Sequence, residues 1–118
     1  LALQVIASAA NQAGTLIFDE VDVGIGGRVA EIVGRMLRQL GSTRQVLCVT
    51  HLPQVAAQAD WQWSIAKETK AGATVSLVHV LDEQARTNEI ARMLGGEKIT
   101  DTTRRHAAEM LDNRKNAR

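Results

Sequence analysis

The apolar residues between positions 28 and 40 recur with the period of an α-helix. They fall at i, i+3, i+4, i+7, i+8 and i+11: Val29, Ile32, Val33, Met36, Leu37 and Leu40. Charged residues occupy the opposite side of such a helix, and Gly41 is suited to end it. The pattern therefore predicts an amphipathic helix from Arg28 to Leu40 with one buried face.

Short apolar runs on both sides of this helix predict two strands. The first run covers residues 15–18 and the second covers residues 45–49. Continuous runs of this length are typical of strands that are covered on both faces of a parallel sheet. A strand, a helix and a strand joined by short loops form a βαβ unit, which has parallel strands and a right-handed crossover. We therefore expect an α/β fold with a parallel βαβ core.

Beyond residue 60 the apolar residues alternate with polar ones, which is the period of a strand. The alternating apolar residues are Trp61, Trp63, Ile65, Val75 and Leu77. Two such runs around the turn residues 70–73 predict an antiparallel hairpin. A short helix from Pro53 to about Ala59 is expected before it, because proline is accepted in a first helical turn.

Two further helices are predicted after the hairpin. Asp82 is suited to cap a helix that runs to about Leu94 and ends at the glycine pair 95–96. Thr100 or Asp101 is suited to cap a final helix. The inner face of that final helix is expected to carry Ala107, Met110 and Leu111. The tail from Asn113 to Arg118 is expected to fray.

The chain opens on an apolar segment and is predicted to be helical over residues 2–11. Leu1, Leu3, Val5 and Ile6 leave no polar face of useful width. We interpret the segment as the cut end of a helix that is buried in a larger protein. Self-association through residues 1–12 is therefore expected of this chain, because a second copy offers burial of that surface.

Composition limits the function classes. With 118 residues, 45% hydrophobic and 23% charged, the chain suits one globular domain. The net charge of +1 argues neither for nor against an anionic partner. No apolar run is long enough for a transmembrane helix, so no membrane partner is expected. A single cysteine, Cys48, excludes an internal disulfide framework and fits a reducing cytoplasm.

The candidate chemistry lies where the two predicted strands end. Asp19 and Glu20 follow the first strand, and His51 follows the second. Ligands bind at the carboxyl ends of strands in open α/β sheets. One carboxylate there can hold a hard cation such as magnesium through water, and its neighbour can orient or deprotonate an attacking water. Acids after a strand are also common as solvated loop residues, and a lone histidine is often structural, so the pattern alone leaves both interpretations open.

Three segments together resemble a known family. Residues 16–20 are similar to the Walker B segment of ABC-type ATPases, residues 21–27 to their D-loop, and residues 49–51 to their switch-histidine segment. The strings at 18–27, 50–56 and 89–96 closely resemble the C-terminal part of the RecN family of bacterial DNA repair proteins, relatives of the SMC proteins. The likeness runs from about residue 2 to residue 112. It implies the C-terminal lobe of a P-loop ATPase head of the ABC/SMC type, with a βαβ core, a hairpin and two C-terminal helices.

The resemblance also implies roles for individual residues. Asp19 would hold the magnesium ion of bound ATP through water, Glu20 would polarise the attacking water, and His51 would contact the γ-phosphate. Asp22 and the glycines of the D-loop would communicate across an ATP-dependent head–head homodimer. Those glycines are Gly24, Gly26 and Gly27. The family acts on DNA in double-strand break repair and recombination, so a cytoplasmic, nucleoid-associated protein is expected.

Some family motifs do not occur in residues 1–118. The sequence has no G-x-x-x-x-G-K-[ST] phosphate loop, no Ser-Gly-Gly signature segment and no coiled coil. We therefore expect a partial head, and we expect this chain alone not to hydrolyse ATP. The alternative function is a non-hydrolytic assembly or interaction module of an SMC-like protein. The presence of Glu20 beside Asp19 favours hydrolysis over this alternative.

Other residues allow more than one interpretation. The C-terminal basic residues are interleaved with acids, so a solvated helix face is favoured over a DNA-binding surface. Those basic residues are Arg104, Arg105, Arg114, Lys115 and Arg118. Trp61 and Trp63 are interpreted as core or sheet-covering residues, or as exposed and adhesive ones if the chain is a fragment. Cys48 is expected to act as a small buried hydrophobe.

Overall fold

A computed structural model describes residues 14–19, 24–96 and 98–116 of the chain. Its strands are β1 (Thr15–Asp19), β2 (Gln45–Val49), β3 (Trp63–Lys70) and β4 (Ala73–Val80). Its helices are α1 (Gly27–Leu40), α2 (Pro53–Ala56), α3 (Glu83–Gly95) and α4 (Asp101–Asn116). The predicted order of elements is confirmed over this part of the chain. The helix predicted over residues 2–11 lies outside the described residues.

Strands β1 and β2 form the parallel pair that the βαβ pattern predicts. Thr15 is the register partner of Gln45, and Asp19 is the partner of Val49. Side chains of a strand alternate between its two faces. One face of the pair packs with α1 in the first hydrophobic core. From the two strands that core receives Leu16, Phe18, Val46 and Cys48, so Cys48 packs as the small apolar residue that the sequence suggests.

The prediction that these strands are covered on both faces is wrong for the part of the chain that the structure describes. The face opposite α1 carries Ile17, Leu47 and Val49, which are 71%, 37% and 48% exposed. A continuous apolar run indicates that both faces of a strand avoid water, but it does not show which residues cover the second face. The period of the run therefore identified the strands correctly and overestimated their burial.

Helix α1 has the predicted bounds, but its buried stripe is rotated from the predicted one. The buried residues are Ala30, Val33, Gly34 and Leu37. Val29 and Ile32, which were predicted to face the core, are about half exposed. The small residues Ala30 and Gly34 are buried because they let neighbouring elements come close to the helix. Ranking positions by hydrophobicity alone misses this effect.

Strands β3 and β4 form the predicted hairpin, in which Trp63 is the register partner of Val80 and Ile65 that of Val78. These four side chains share one face, and all are more than half exposed. Leu77 and Val75 pair with Ala66 and Glu68 and lie on the opposite face. The interpretation of the tryptophans as core residues is wrong: Trp61 and Trp63 are exposed.

The C-terminal helices build a second core with α2. Its fully buried members are Ala57, Ile90, Ala91 and Ala107, and Met110 and Leu111 pack against it. Both predicted caps of these helices are confirmed: Asp82 Oδ1 accepts from Ala85 N at 2.8 Å, and Thr100 Oγ1 accepts from Thr103 N at 3.1 Å.

The tail is more ordered than expected. Helix α4 continues to Asn116, and the Arg114 guanidinium is anchored to residues 59 and 60. The prediction of a frayed tail from residue 113 is therefore wrong for residues 113–116. Among the helices of the described ranges, none has the length and apolar character needed to cross a membrane.

Candidate functional site at the carboxyl edge of the parallel strands

The parallel register brings two of the predicted site residues to one edge of the sheet. Asp19 is the last residue of β1, and its partner Val49 is the last residue of β2. His51 follows two residues later. Neighbouring strands of a sheet lie about 4.8 Å apart. The Asp19 carboxylate and the His51 imidazole are both on exposed residues, so the described residues leave both side chains accessible to a ligand.

The backbone turns sharply as it leaves β2. Thr50 Oγ1 accepts a hydrogen bond from Leu52 N at 3.0 Å, which is the side-chain turn that serine and threonine commonly form. The carbonyl of Leu52 then accepts from the backbone N–H groups of Val55 and Ala56, which begins α2. His51 therefore sits between the end of a strand and the start of a helix, with each boundary fixed by a hydrogen bond.

The glycine-rich loop enters α1 with two residues in the left-handed region. Gly24 has φ of 80° and Gly27 has φ of 54°, and side-chain-bearing residues rarely adopt such angles. Among the described residues, a Cβ atom at either position, or at Gly26, would meet nothing within 4 Å. Gly24 and Gly27 thus serve backbone conformation, and the described residues leave open space beside all three glycines.

The other predicted site residues, Glu20 and Asp22, lie outside the described residues. Within the described ranges, no three His, Cys, Asp or Glu side chains come together as a cage for a metal ion. A single carboxylate is nevertheless a suitable donor set for magnesium, which is commonly bound by one or two carboxylates together with water and substrate phosphates. Asp19 at an open sheet edge fits that requirement.

Sequence reasoning missed Arg86, the buried guanidinium of α3. The residue is only 8% exposed. Its side chain donates to Gln62 Oε1 at 3.1 Å through Nε, and to backbone carbonyls at the end of α2 and just beyond it. Nη2 donates to the carbonyls of Ala56 at 3.1 Å, of Ala57 at 3.4 Å and of Ala59. Nη1 donates to the carbonyl of Asp60 at 3.5 Å. No spacing rule predicts an arginine of this kind, since all but one of its acceptors are main-chain carbonyls.

Arg114 of α4 reaches the same stretch of backbone. Its Nη1 donates to the carbonyl of Ala59 and to Asp60 Oδ1, both at 2.9 Å. Burial and the nearby Arg114 lower the pKa of Arg86 to about 10, and Asp60 opposes that shift. The Arg86 guanidinium is therefore cationic at neutral pH. We call Arg86, Arg114 and their acceptors at residues 56–60 the arginine junction.

The string at 89–96, which carries part of the family resemblance, lies in and just after α3. Ile90 and Ala91 are fully buried in the second core, and Gly96 ends the helix with φ of 70°. Arg92 is mostly exposed and forms an ion pair with Glu89. This segment packs the helices together, and it contributes no side chain to the sheet edge that holds Asp19.

Comparison with curated proteins finds close relatives over most of the chain. It is 52% identical over 111 residues to the DNA repair protein RecN of Vibrio cholerae. It is 47% identical to RecN of Bacillus subtilis and 50% identical to RecN of Xylella fastidiosa, each over 111 residues. These matches cover 94% of the chain. The chain spans about one fifth of the length of these relatives. A scan against models of protein families gives no match.

Comparison with solved structures bears on the fold. A chain from work on ATP-driven dimerization and DNA-stimulated activation of SMC ATPases superposes with a TM-score of 0.61 at 18% identity. The superposition covers 82% of this chain and 59% of the other. The predicted α/β fold is thus confirmed, and this chain shares it with that SMC ATPase chain. Together with identities of 47 to 52% to three RecN proteins, this shows that the chain belongs to the RecN family of DNA repair proteins.

Proposed function

We propose that this chain is the Walker B, D-loop and switch-histidine part of an ATP-hydrolysing head in a RecN-like DNA repair protein. The observation that carries the proposal is the parallel register of β1 and β2, which brings Asp19 and His51 to one exposed edge of the sheet. Glu20 follows Asp19 directly in the sequence. An acid pair and a histidine at such an edge suit phosphoryl chemistry, in which positioning and charge stabilisation dominate.

Each residue then has a distinct task. When bound, ATP with magnesium supplies the phosphoryl group that is transferred to water. Asp19 would hold the magnesium ion through water. A carboxylate at the end of a strand is already fixed in position, so it loses little conformational entropy on binding. Glu20 orients the attacking water and accepts its proton. The His51 imidazole donates a hydrogen bond to the γ-phosphate.

The glycine-rich loop is assigned to contact between two heads. Asp22, Gly24, Gly26 and Gly27 face a second head in this proposal. The open space beside the three glycines supports it, since a partner backbone can approach them closely. The related SMC structure is described with ATP-driven dimerization and DNA-stimulated activation, and the relatives are DNA repair proteins. We therefore propose an ATP-dependent head–head homodimer that acts on DNA in double-strand break repair and recombination.

Two substitutions in the full-length protein that carries this segment test the assignment. Glu20→Gln is nearly isosteric but cannot accept a proton, so ATP binding should persist while hydrolysis slows by about 10²- to 10⁴-fold. Asp19→Asn should instead weaken magnesium-dependent ATP binding. Phosphate release and equilibrium binding of a fluorescent ATP analogue separate the two effects. A Glu20→Gln protein that hydrolyses ATP at the parental rate would show that Glu20 has been given the wrong role.

The isolated chain of 118 residues is proposed to be inactive. Its sequence has no phosphate loop, and the backbone N–H groups of such a loop normally cradle the triphosphate. Purified chain incubated with ATP and magnesium should release no more phosphate than its Glu20→Gln variant. Turnover above that control overturns this part of the proposal.

An assembly module without hydrolysis is the second candidate function. The exposed apolar face of the hairpin, which carries Trp63, Ile65, Val78 and Val80, favours it. The two functions differ in what Glu20→Gln does to the full-length protein. A pure assembly module would repair DNA equally well with either residue, whereas an ATPase head would lose repair activity.

A further inference from the structure

Helix α2, which begins two residues after His51, is too short to hold its own conformation. It contains only four residues, Pro53–Ala56. Starting a helix fixes several residues for one hydrogen bond, so a single turn is unstable by itself. The last carbonyls of any helix also lack partners within the helix. The carbonyls of Pro53, Val55 and Ala56 accept from the backbone N–H groups of residues 57–59. Because that stretch has no further helical turn, contacts from other elements must keep it in place.

The arginine junction supplies that support. The acceptors of Arg86 Nη2 include the carbonyls of Ala56 and Ala57, which lie at the end of α2 and in the turn that follows. A planar guanidinium can address several acceptors at once, because its donors point outward in a fixed fork. Hydrogen bonds from a charged donor are stronger than those between neutral groups. The helix after His51 is thus held from its C-terminal end by charge-assisted bonds.

The junction also connects elements that are distant in sequence. Arg86 lies on α3, and Arg114 lies on α4 and donates to Ala59 and Asp60. Arg38 Nη1, on the helix that follows the glycine-rich loop, donates to the carbonyl of Arg114. These bonds join α3 and α4 to residues 56–60, and they join α1 to α4. Helix α2 is also held by packing from its N-terminal end, since Pro53 and Val55 are buried.

We propose that Arg86, assisted by Arg114, is a positioning residue for His51, the proposed switch histidine. By fixing the C-terminal end of α2, the junction fixes the direction in which α2 starts, and hence where the imidazole points at the sheet edge. This inference rests on the proposed function for the role of His51. It assigns no contact between either arginine and the nucleotide.

The competing explanation is that Arg86 only stabilises the fold. A double-mutant cycle in the full-length protein distinguishes the two, because residues that act through one group are not additive. The variants are Arg86→Gln, His51→Ala and their combination. Arg86→Lys keeps the charge but loses the fork. Arg92→Gln is the matched control, since Arg92 lies on the same helix and is mostly exposed.

For Arg86→Gln we expect kcat to fall about tenfold to a hundredfold, the order of loss that small misplacements of a reacting group cause. KM for ATP should change little, because Arg86 makes no nucleotide contact. Arg86→Lys should recover part of the loss, and Arg92→Gln should match the parent. In the His51→Ala background, Arg86→Gln should cost almost nothing more.

Additive losses in kcat, or equal changes of kcat and KM, would overturn the positioning role while leaving the role of His51 intact. If His51→Ala alone leaves kcat unchanged, the proposed function of His51 fails, and the positioning role fails with it. Thermal unfolding of every variant shows whether it is folded. If Arg86→Gln does not fold, Arg114→Gln replaces it in the same cycle, because that substitution removes fewer hydrogen bonds of the arginine junction. The same criteria then decide the outcome.

Discussion

Gly34 of α1 lies so close to Val55 of α2 that a Cβ atom on the glycine would be 3.2 Å from the Val55 Cα. The same Cβ would be 3.0 Å from the carbonyl oxygen of Gln54 and 2.8 Å from Gln58 Cγ. Backbone atoms on the facing helix cannot retreat without moving α2 as a whole. The helix after the glycine-rich loop and the helix after His51 are therefore in direct backbone contact.

Gly34→Ala should lower the free energy of unfolding by about 1 kcal/mol. Overpacking lowers the free energy of unfolding by about 1–3 kcal/mol. The higher helix propensity of alanine offsets about 1 kcal/mol of that loss. Urea unfolding of the chain measures the difference. Gln39→Ala, at an exposed position of the same helix, should be nearly neutral or slightly stabilising. A Gly34→Ala chain more stable than the parent would show that α2 moves aside freely.

Asp60→Asn should destabilise the arginine junction. Asp60 Oδ1 is 2.9 Å from Arg114 Nη1, and the Asp60 carboxylate also offsets the lowering of the Arg86 pKa. Because the Asp60 side chain is 58% exposed, the expected loss is only about 0.5–1 kcal/mol.

The effect of Asp60→Asn should shrink at high salt, since screening weakens an exposed pair. Unfolding in low and high salt tests this. Asp101→Asn breaks the exposed pair with Arg104 and should change stability less. Equal losses for the two variants would argue against a special role of Asp60.

The contribution of Arg86 to stability should not vary between pH 6 and pH 8. Burial and Arg114 lower its pKa from the ordinary value of an arginine to about 10, so the native state binds this proton less tightly than the unfolded chain. Stability attributable to this group therefore rises with pH only above about 10, where the native state begins to lose the proton first. The difference in unfolding free energy between the parent and Arg86→Gln, measured at pH 6 and at pH 8, should be the same. A clear change across that range would contradict a fully charged junction.

Asp82→Ala should cost about 1 kcal/mol of stability, the usual value of a lost N-cap. The Asp82 carboxylate accepts the Ala85 N–H at the start of α3. Asp82→Asn keeps the acceptor and should be nearly neutral. Chemical denaturation of both variants provides the measurement, and equal losses would mean that charge, and not the cap, is what matters there.

Self-association of the chain, if driven by residues 1–12, should respond to Leu3→Ser with Ile6→Ser. The matched comparison is Ile65→Thr with Val78→Thr, which reduces the exposed apolar face of the hairpin while keeping β-branched residues in the strands. Light scattering at several concentrations measures the mass. A monomer throughout the micromolar range would exclude association, and a drop only in the hairpin pair would place the contact on β3 and β4.

Periodicity was enough to predict the elements, because each of them is marked locally by its own apolar spacing and its glycines or caps. It also placed Asp19 and His51 at one edge, since parallel strands end on the same side. The buried stripe of α1 could not be predicted, because Gly34 is buried by a close approach of α2 and not by its own hydrophobicity. Arg86 was beyond sequence reasoning for a similar reason. Apart from Gln62 Oε1, its acceptors are backbone carbonyls, which every residue has and no residue type reveals.

In the described part of the chain, β3 and β4 pair only with each other. Each of these two strands therefore has one edge without a neighbouring strand. In an antiparallel pair, successive N–H groups point alternately toward the partner and away from it. Those that point away have no strand to bond within the described sheets. Amide hydrogen exchange along residues 63–80 should therefore alternate between slow and fast from one residue to the next. A central strand of a larger sheet, in contrast, would be protected along its whole length.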